Sequence, residues 1–310
     1  MRKDDVSRTL VPEHVSQYKE LLRRVSAKDK TVNESTMQNF LETHTAFMPV
    51  PFKLNHQLHF NSFISKFPVG PWFTDVAYLT KSTVEWWLVL MELENPHKKL
   101  FKGSPDHADF TSDYMQAKQQ IDDWKIWIEE HRNEVIDSLQ RILVPLQMKK
   151  NRISFKYVLI MGRRNELEQS EARRKAIAQK NEDGLKIITY DTILSDYERK
   201  RRIPAESIVL TLYNRNRFKV KTLPQGKDGK SKFDGYLSRI ETDLFTYLSP
   251  EDLILTSEQI ENLKDDDYEM ESWLDGQLLE INDKYTRKGY ARKFPENKLI
   301  NAVLSAEDNS

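Results

Sequence analysis

No cysteine occurs in the 310 residues. That excludes a disulfide framework, a thiolate-held zinc or iron–sulfur centre and a thiol nucleophile. Long apolar runs are missing too. The longest, Trp86–Met91, falls far short of the ~20 residues that span a bilayer. No apolar stretch follows the opening Met1-Arg2-Lys3-Asp4-Asp5, so neither a signal nor a transit peptide is expected. The expectation is a soluble, cytoplasmic α/β protein with no membrane partner. What is present supports a core without staples: hydrophobic residues make up 38%, with six Trp and 14 Phe. The length suits two domains, or one domain with a sizeable extension.

An excess of charge of one sign is also absent, since Lys+Arg and Asp+Glu number 48 each. The balance hides an uneven spread. Residues 199–232 carry 11 basic and two acidic side chains, 146–180 carry ten and three, and 241–283 carry 14 acidic and one basic. A single charge run usually marks a solvated face. Two basic stretches beside an acidic one also suit a phosphate-backbone binder with its own counter-charge.

Along the chain, Val15, Tyr18, Leu21, Leu22 and Val25 recur on one helix face. A second helix is expected from Asn33 or Glu34 to about His44, before Pro49 and Pro51. Residues 52–68 alternate loosely and read as a strand, and Gly70-Pro71 as a turn. Residues 72–79 read as one strand, 80–82 as a connection and 84–94 as a second strand ended by Asn95-Pro96. The stretch Asp106–Val144 lacks Gly and Pro and reads mostly as helix, broken near 131–133. Residues 153–161 suggest a buried strand, followed by Gly162-Arg163-Arg164 and a charged helix over 165–181. A strand over 185–190 follows Gly184, with Asp191 expected to cap a short helix. Residues 206–212 and 217–223 read as strands, and the acidic remainder as helical pieces. The expected division is an N-terminal helical extension (1–30), a central domain (31–198) and a charged C-terminal α+β region (199–310).

Three carboxylates stand out: Asp75 on the first strand of the expected hairpin, and Glu92 and Glu94 at the end of the second. Residues two apart on a strand share a face, and an antiparallel partner can bring Asp75 beside Glu92. Gathered carboxylates repel unless a cation or proton neutralises them. Oxygen donors without Cys favour Mg²⁺ or Mn²⁺ over Zn²⁺. The bland alternative is a solvated strand end. Downstream, Gln116, Gln120 and Trp124 recur at helical spacing, so one amide can face the acidic strand end. Arg215, Arg217, Lys219 and Lys221 would form a basic stripe on one strand face.

The order of pieces resembles the PD-(D/E)XK nuclease superfamily, and more closely the Shedu antiphage-defence nucleases (the DUF4263 domain). The matching pieces are Phe40-Leu41-Glu42, Thr74-Asp75-Val76, Met91-Glu92-Leu93-Glu94-Asn95-Pro96 and Leu100-Phe101. Then come the run from Ala117 through Gln120 to Trp124, Ile160-Met161-Gly162-Arg163-Arg164 and Thr189-Tyr190-Asp191. They span about residues 34–195.

The resemblance implies a restriction-endonuclease-like core, a mixed sheet flanked by helices with a metal site at one edge. It implies that Asp75 and Glu92 hold a divalent Mg²⁺ or Mn²⁺, that Glu94 stands in the usual lysine's place, and that Gln120 lines the site. Glu34 or Glu42 is a further candidate acid, and Lys98 or Lys99 a candidate to swing back into the site. Glu94 would accept a proton from the attacking water or bind metal. Arg163 and Arg164 are candidates to fork onto phosphate, or else to pair with Glu166 or Glu168. The family likeness also implies DNA as partner and a homo-oligomer, often a tetramer. Two other readings stay open: a degenerate site that binds or senses DNA without cutting, and a scaffold whose charged segments bind one another.

Overall fold

The computed structural model describes residues 11–55, 58–143, 148–168, 170–181, 184–200, 206–213, 217–222 and 253–254. Strand β5 (Glu85–Leu93) organises it. Trp86, Leu88 and Leu90 enter one core layer, whereas Val89, Met91 and Leu93 enter the other. A strand apolar on both faces must lie inside a sheet covered on both sides. Its neighbours are β4 (Val76–Lys81), antiparallel, and β6 (Arg152–Ile160), parallel.

Among the described residues the mixed sheet has eight strands, in the order β10-β9-β8-β1-β4-β5-β6-β7. The remaining members are β1 (Ser62–Ser65), β7 (Leu185–Ile188), β8 (Ile208–Tyr213), β9 (Arg217–Thr222) and β10 (Leu253–Ile254). Helices α3 (Ser112–Glu130), α4 (Arg132–Leu139) and α6 (Glu171–Lys180) contribute to the first core layer. Helices α1 (Pro12–Ser26), α2 (Glu34–Thr43) and α7 (Tyr190–Arg199) contribute to the second. Helix α1 buries Tyr18, Leu22 and Val25 in that layer. Asn33 and Thr36 form a capping box at the start of α2. No described helix is long and apolar enough to cross a membrane.

Several expected elements differ. Of residues 52–68, only Ser62–Ser65 forms a strand in the main sheet; Pro68–Val69 starts a small ribbon. The strand expected over 72–79 is split. Its first part, β3 (Trp72–Phe73), pairs with β2 (Pro68–Val69) around Gly70-Pro71. Gly70 has φ +60, and a Cβ there would lie 2.6 Å from the Trp127 indole, so the turn passes too close to α3 for a side chain. The chain joins the main sheet at Asp75, whose N–H donates to the Met91 carbonyl at 3.1 Å.

The helix expected from Asp106 starts only at Ser112, because Phe101 and Phe110 form a β-bridge and stacked rings. The helix expected over 165–181 is two: α5 (Asn165–Glu168), then α6, which Ser170 caps. Thr189, not Asp191, caps α7, accepting from the Thr192 N–H. Strands β8 and β9, from the expected C-terminal region, extend the same sheet beside β1.

Gly162, between β6 and α5, has φ +74. A Cβ there would lie 2.7 Å from Glu166 Oε1 and 2.8 Å from Leu100 Cγ. Gly162→Ala is expected to lower stability by about 2 kcal/mol, read as a fall in the urea midpoint at unchanged slope.

Candidate active site

The β4–β5 register pairs Val76 with Met91, so the preceding Asp75 falls opposite the strand's acidic end. Ala77, Leu79, Leu88 and Leu90 share the layer that faces α3. By strand alternation Asp75, Glu92 and Glu94 project to that same side. Asp75 and Glu94 are 3% and 7% exposed. Asp75 Oδ2 accepts the Leu93 N–H at 2.6 Å, and Oδ1 lies 2.5 Å from the Lys66 ammonium. Glu94 Oε2 lies 2.6 Å from the Lys98 ammonium.

Glu92 is different. Gln120 Nε2, projecting from α3, donates to Oε1 at 2.7 Å. Among the described residues Oε2 has no hydrogen-bond partner and is sealed from solvent, although the residue as a whole is partly exposed. Burial pushes the carboxyl up to about 9, and the charges of Asp75, Glu94 and Glu34 add to the shift. Glu34, the first residue of α2, is raised by its own burial and by Asp75 and Glu94. Burial also raises Asp75, against the pull of Lys66 and the Leu93 N–H. Burial and mutual repulsion raise these carboxyls, and of the three only Asp75 has an ammonium in contact among the described residues.

Other expected residues serve other contacts. Glu42 is buried in a network in which Ser65 Oγ and Gln38 Nε2 donate to its Oε1 at 2.6 and 2.9 Å. Lys221 Nζ pairs with its Oε2 at 2.6 Å. Gln38 also donates to the Asp75 carbonyl at 3.2 Å, and so links this network to the site. Gln116 is exposed, and Trp124 is fully buried in the core.

Arg163 does not pair with the nearby glutamates; it forks onto Asp191, at 2.7 and 3.0 Å, and donates to the Leu22 carbonyl. Arg164 donates to the Asp191 carbonyl and to Ser195. Glu166 accepts from the Arg163 and Phe101 backbone N–H groups instead. On β9, Phe218 and Val220 are buried and alternate with the more exposed Lys219 and Lys221, and Lys221 pairs with Glu42. Arg215 and most of the acidic run 241–283 lie outside the described residues.

Residues 31–194 match the family described as Shedu protein SduA, C-terminal, just over half of the 310 residues. The chain belongs to the Shedu family. No curated protein matches it. Membership of the Shedu family suggests a part in antiphage defence.

In this Shedu chain the Thr-Tyr-Asp segment supports the site from behind. Thr189 caps α7, Asp191 holds Arg163, and the buried Tyr190 hydroxyl donates to the Glu94 carbonyl at 2.5 Å. Tyr18 donates in turn to the Tyr190 carbonyl at 3.0 Å. Sequence reasoning missed Lys66 and Gln38, and it read Tyr18 only as a helix-face residue and Tyr190 only as part of a matching segment. Each reaches the site through contacts distant in the chain.

Among the described residues no three His, Asp or Glu side chains already form a metal cage. The side-chain donors are all oxygen, the type a hard divalent ion takes, and Glu92 Oε2 has no hydrogen-bond partner among the described residues, but lysine ammoniums occupy Asp75 and Glu94.

The raised Glu92 carboxyl has a measurable consequence. Its folded value lies above the unfolded one, so the folded state holds the extra proton and loses stability as pH rises from about 4.5 to about 9. In EDTA, Glu92→Gln should match the wild type in Tm near pH 4.5 and exceed it increasingly up to pH 9. Parallel Tm curves across that range would contradict the shift.

Proposed function

We propose that this Shedu chain is a metal-dependent DNA endonuclease on a restriction-endonuclease-like core. The observation that carries the reading is the Glu92 carboxylate: one oxygen held by Gln120, the other unpartnered, in a buried field of acids. The order α2-β1-β4-β5-α3-β6 supports the fold assignment, since it places the acids at the start of β4 and the end of β5, beside the α3 amide. Assembly as a homo-oligomer, with four subunits, belongs to the same proposal.

Asp75 and Glu92, with Glu94, would hold Mg²⁺ or Mn²⁺. When bound, such an ion neutralises the clustered acids and stabilises the charge that builds on the phosphate during in-line displacement. Gln120 fixes the orientation of Glu92 from α3. The Leu93 N–H fixes Asp75 in the same way. Glu94 is the candidate acceptor for a proton of the attacking water. The water oxygen bonds to phosphorus, the bond to the 3′ oxygen breaks, and that oxygen leaves with a proton from solvent.

A second reading, DNA binding without cleavage, is favoured by the two lysines that already neutralise Asp75 and Glu94. One comparison separates the two. Purified protein with Mg²⁺ or Mn²⁺ should nick or cut linear or circular DNA. Asp75→Asn and Glu92→Gln should abolish cleavage while keeping salt-sensitive binding and a cooperative melt. Wild-type protein that binds DNA but cuts none of these substrates would leave only the second reading.

A further inference from the structure

Two residues after Glu92 the strand end carries a second carboxylate, Glu94. A carboxylate cannot stabilise negative charge on a phosphate, so a cation has to come from elsewhere. Lys66 is placed for that role. It follows the last residue of β1 with φ +50, a left-handed conformation that costs a non-glycine residue about 1–3 kcal/mol. Its backbone N–H donates to the Asp75 carbonyl at 3.0 Å, so the main chain is pinned to the site. Its side chain is 47% exposed, and its ammonium lies 2.5 Å from Asp75 Oδ1. Glu34 and Glu92 also act on that ammonium.

We propose that Lys66 is a catalytic residue that trades one anion for another. Without metal its ammonium neutralises Asp75; with metal and DNA in place it turns onto a non-bridging oxygen of the scissile phosphate. The proposal rests on the endonuclease reading. A divalent ion at Asp75 and Glu92 repels an ammonium a few ångströms away. A half-exposed four-carbon stem lets that ammonium move without disturbing the sheet, and the phosphodiester offers a new charge-assisted acceptor. Lys98 is the rival. Its ammonium sits on Glu94, and its other acidic neighbours are Asp113 and Glu34, not Asp75 or Glu92. It has no strained backbone among the positive-φ residues.

The test compares Lys66→Met, Lys66→Arg and Lys98→Met with wild type in two assays. One is Mn²⁺ affinity of the DNA-free protein, from the free Mn²⁺ signal in electron paramagnetic resonance. The other is single-turnover cleavage at saturating Mg²⁺. Lys66→Met should bind Mn²⁺ more tightly, since the competing cation is gone, yet cleave about 100-fold more slowly. Lys66→Arg should recover part of the rate. A purely structural role for Lys66 would weaken both together, and that outcome overturns the proposal. Wild-type cleavage by Lys66→Met overturns it as well, as does the split signature appearing in Lys98→Met instead. Unchanged Mn²⁺ affinity in Lys66→Met overturns the exchange whether or not DNA is cut. A wild type that cuts no DNA defeats the endonuclease reading together with the phosphate contact.

Discussion

The Asp75 carboxylate ties the sheet together where its backbone ladder runs out. Strand β4 begins at Val76 and β5 ends at Leu93. Asp75 supplies the link just outside the paired register: its N–H reaches Met91, and its Oδ2 takes the Leu93 N–H. A backbone donor buried there without a partner would cost about 1–3 kcal/mol. The same side chain then turns its other oxygen to Lys66. One carboxylate therefore fixes both the geometry of the strand end and the sign of the charge beside it.

From that constraint follows the asymmetry among the three acids. Asp75 and Glu94 have ammonium partners, and Glu92 has an amide on one oxygen and no donor among the described residues on the other. An amide orients a carboxylate but brings no net charge. The unsatisfied electrostatics of the cluster thus collect on the residue in the middle. Behind the sheet, Glu42 is satisfied by three donors and is the mirror case: an acid on α2 that serves structure.

Much of this was legible in the sequence, for definite reasons. The run Trp86–Met91 is apolar at consecutive positions, as a strand covered on both faces is, and β5 lies there. The spacing of Glu92 and Glu94 put both on one face, and the helical period brought Gln120 to Glu92. What escaped depends on pairing across long separations. Nothing local says that Lys66 meets Asp75, or that Tyr190 reaches the Glu94 carbonyl. The break at Thr74-Asp75 was hidden because β2 and β3 form a ribbon of their own. Asp191 looked like a helix cap because acids favour that position, but the neighbouring Thr189 took it and left Asp191 for Arg163.

The parallel pairing of β1 with β8 joins Ser62 to Ile208. Such distant contacts form slowly, after the local hairpin of β4 and β5. During synthesis a chain shorter than about 210 residues has the acidic strand end and β4 beside β1, but nothing on the other edge of β1. Lys221 arrives later still, and until it does Glu42 lacks its cation. The Glu42 network that reaches Asp75 through Gln38 is therefore completed only once residue 221 has been made.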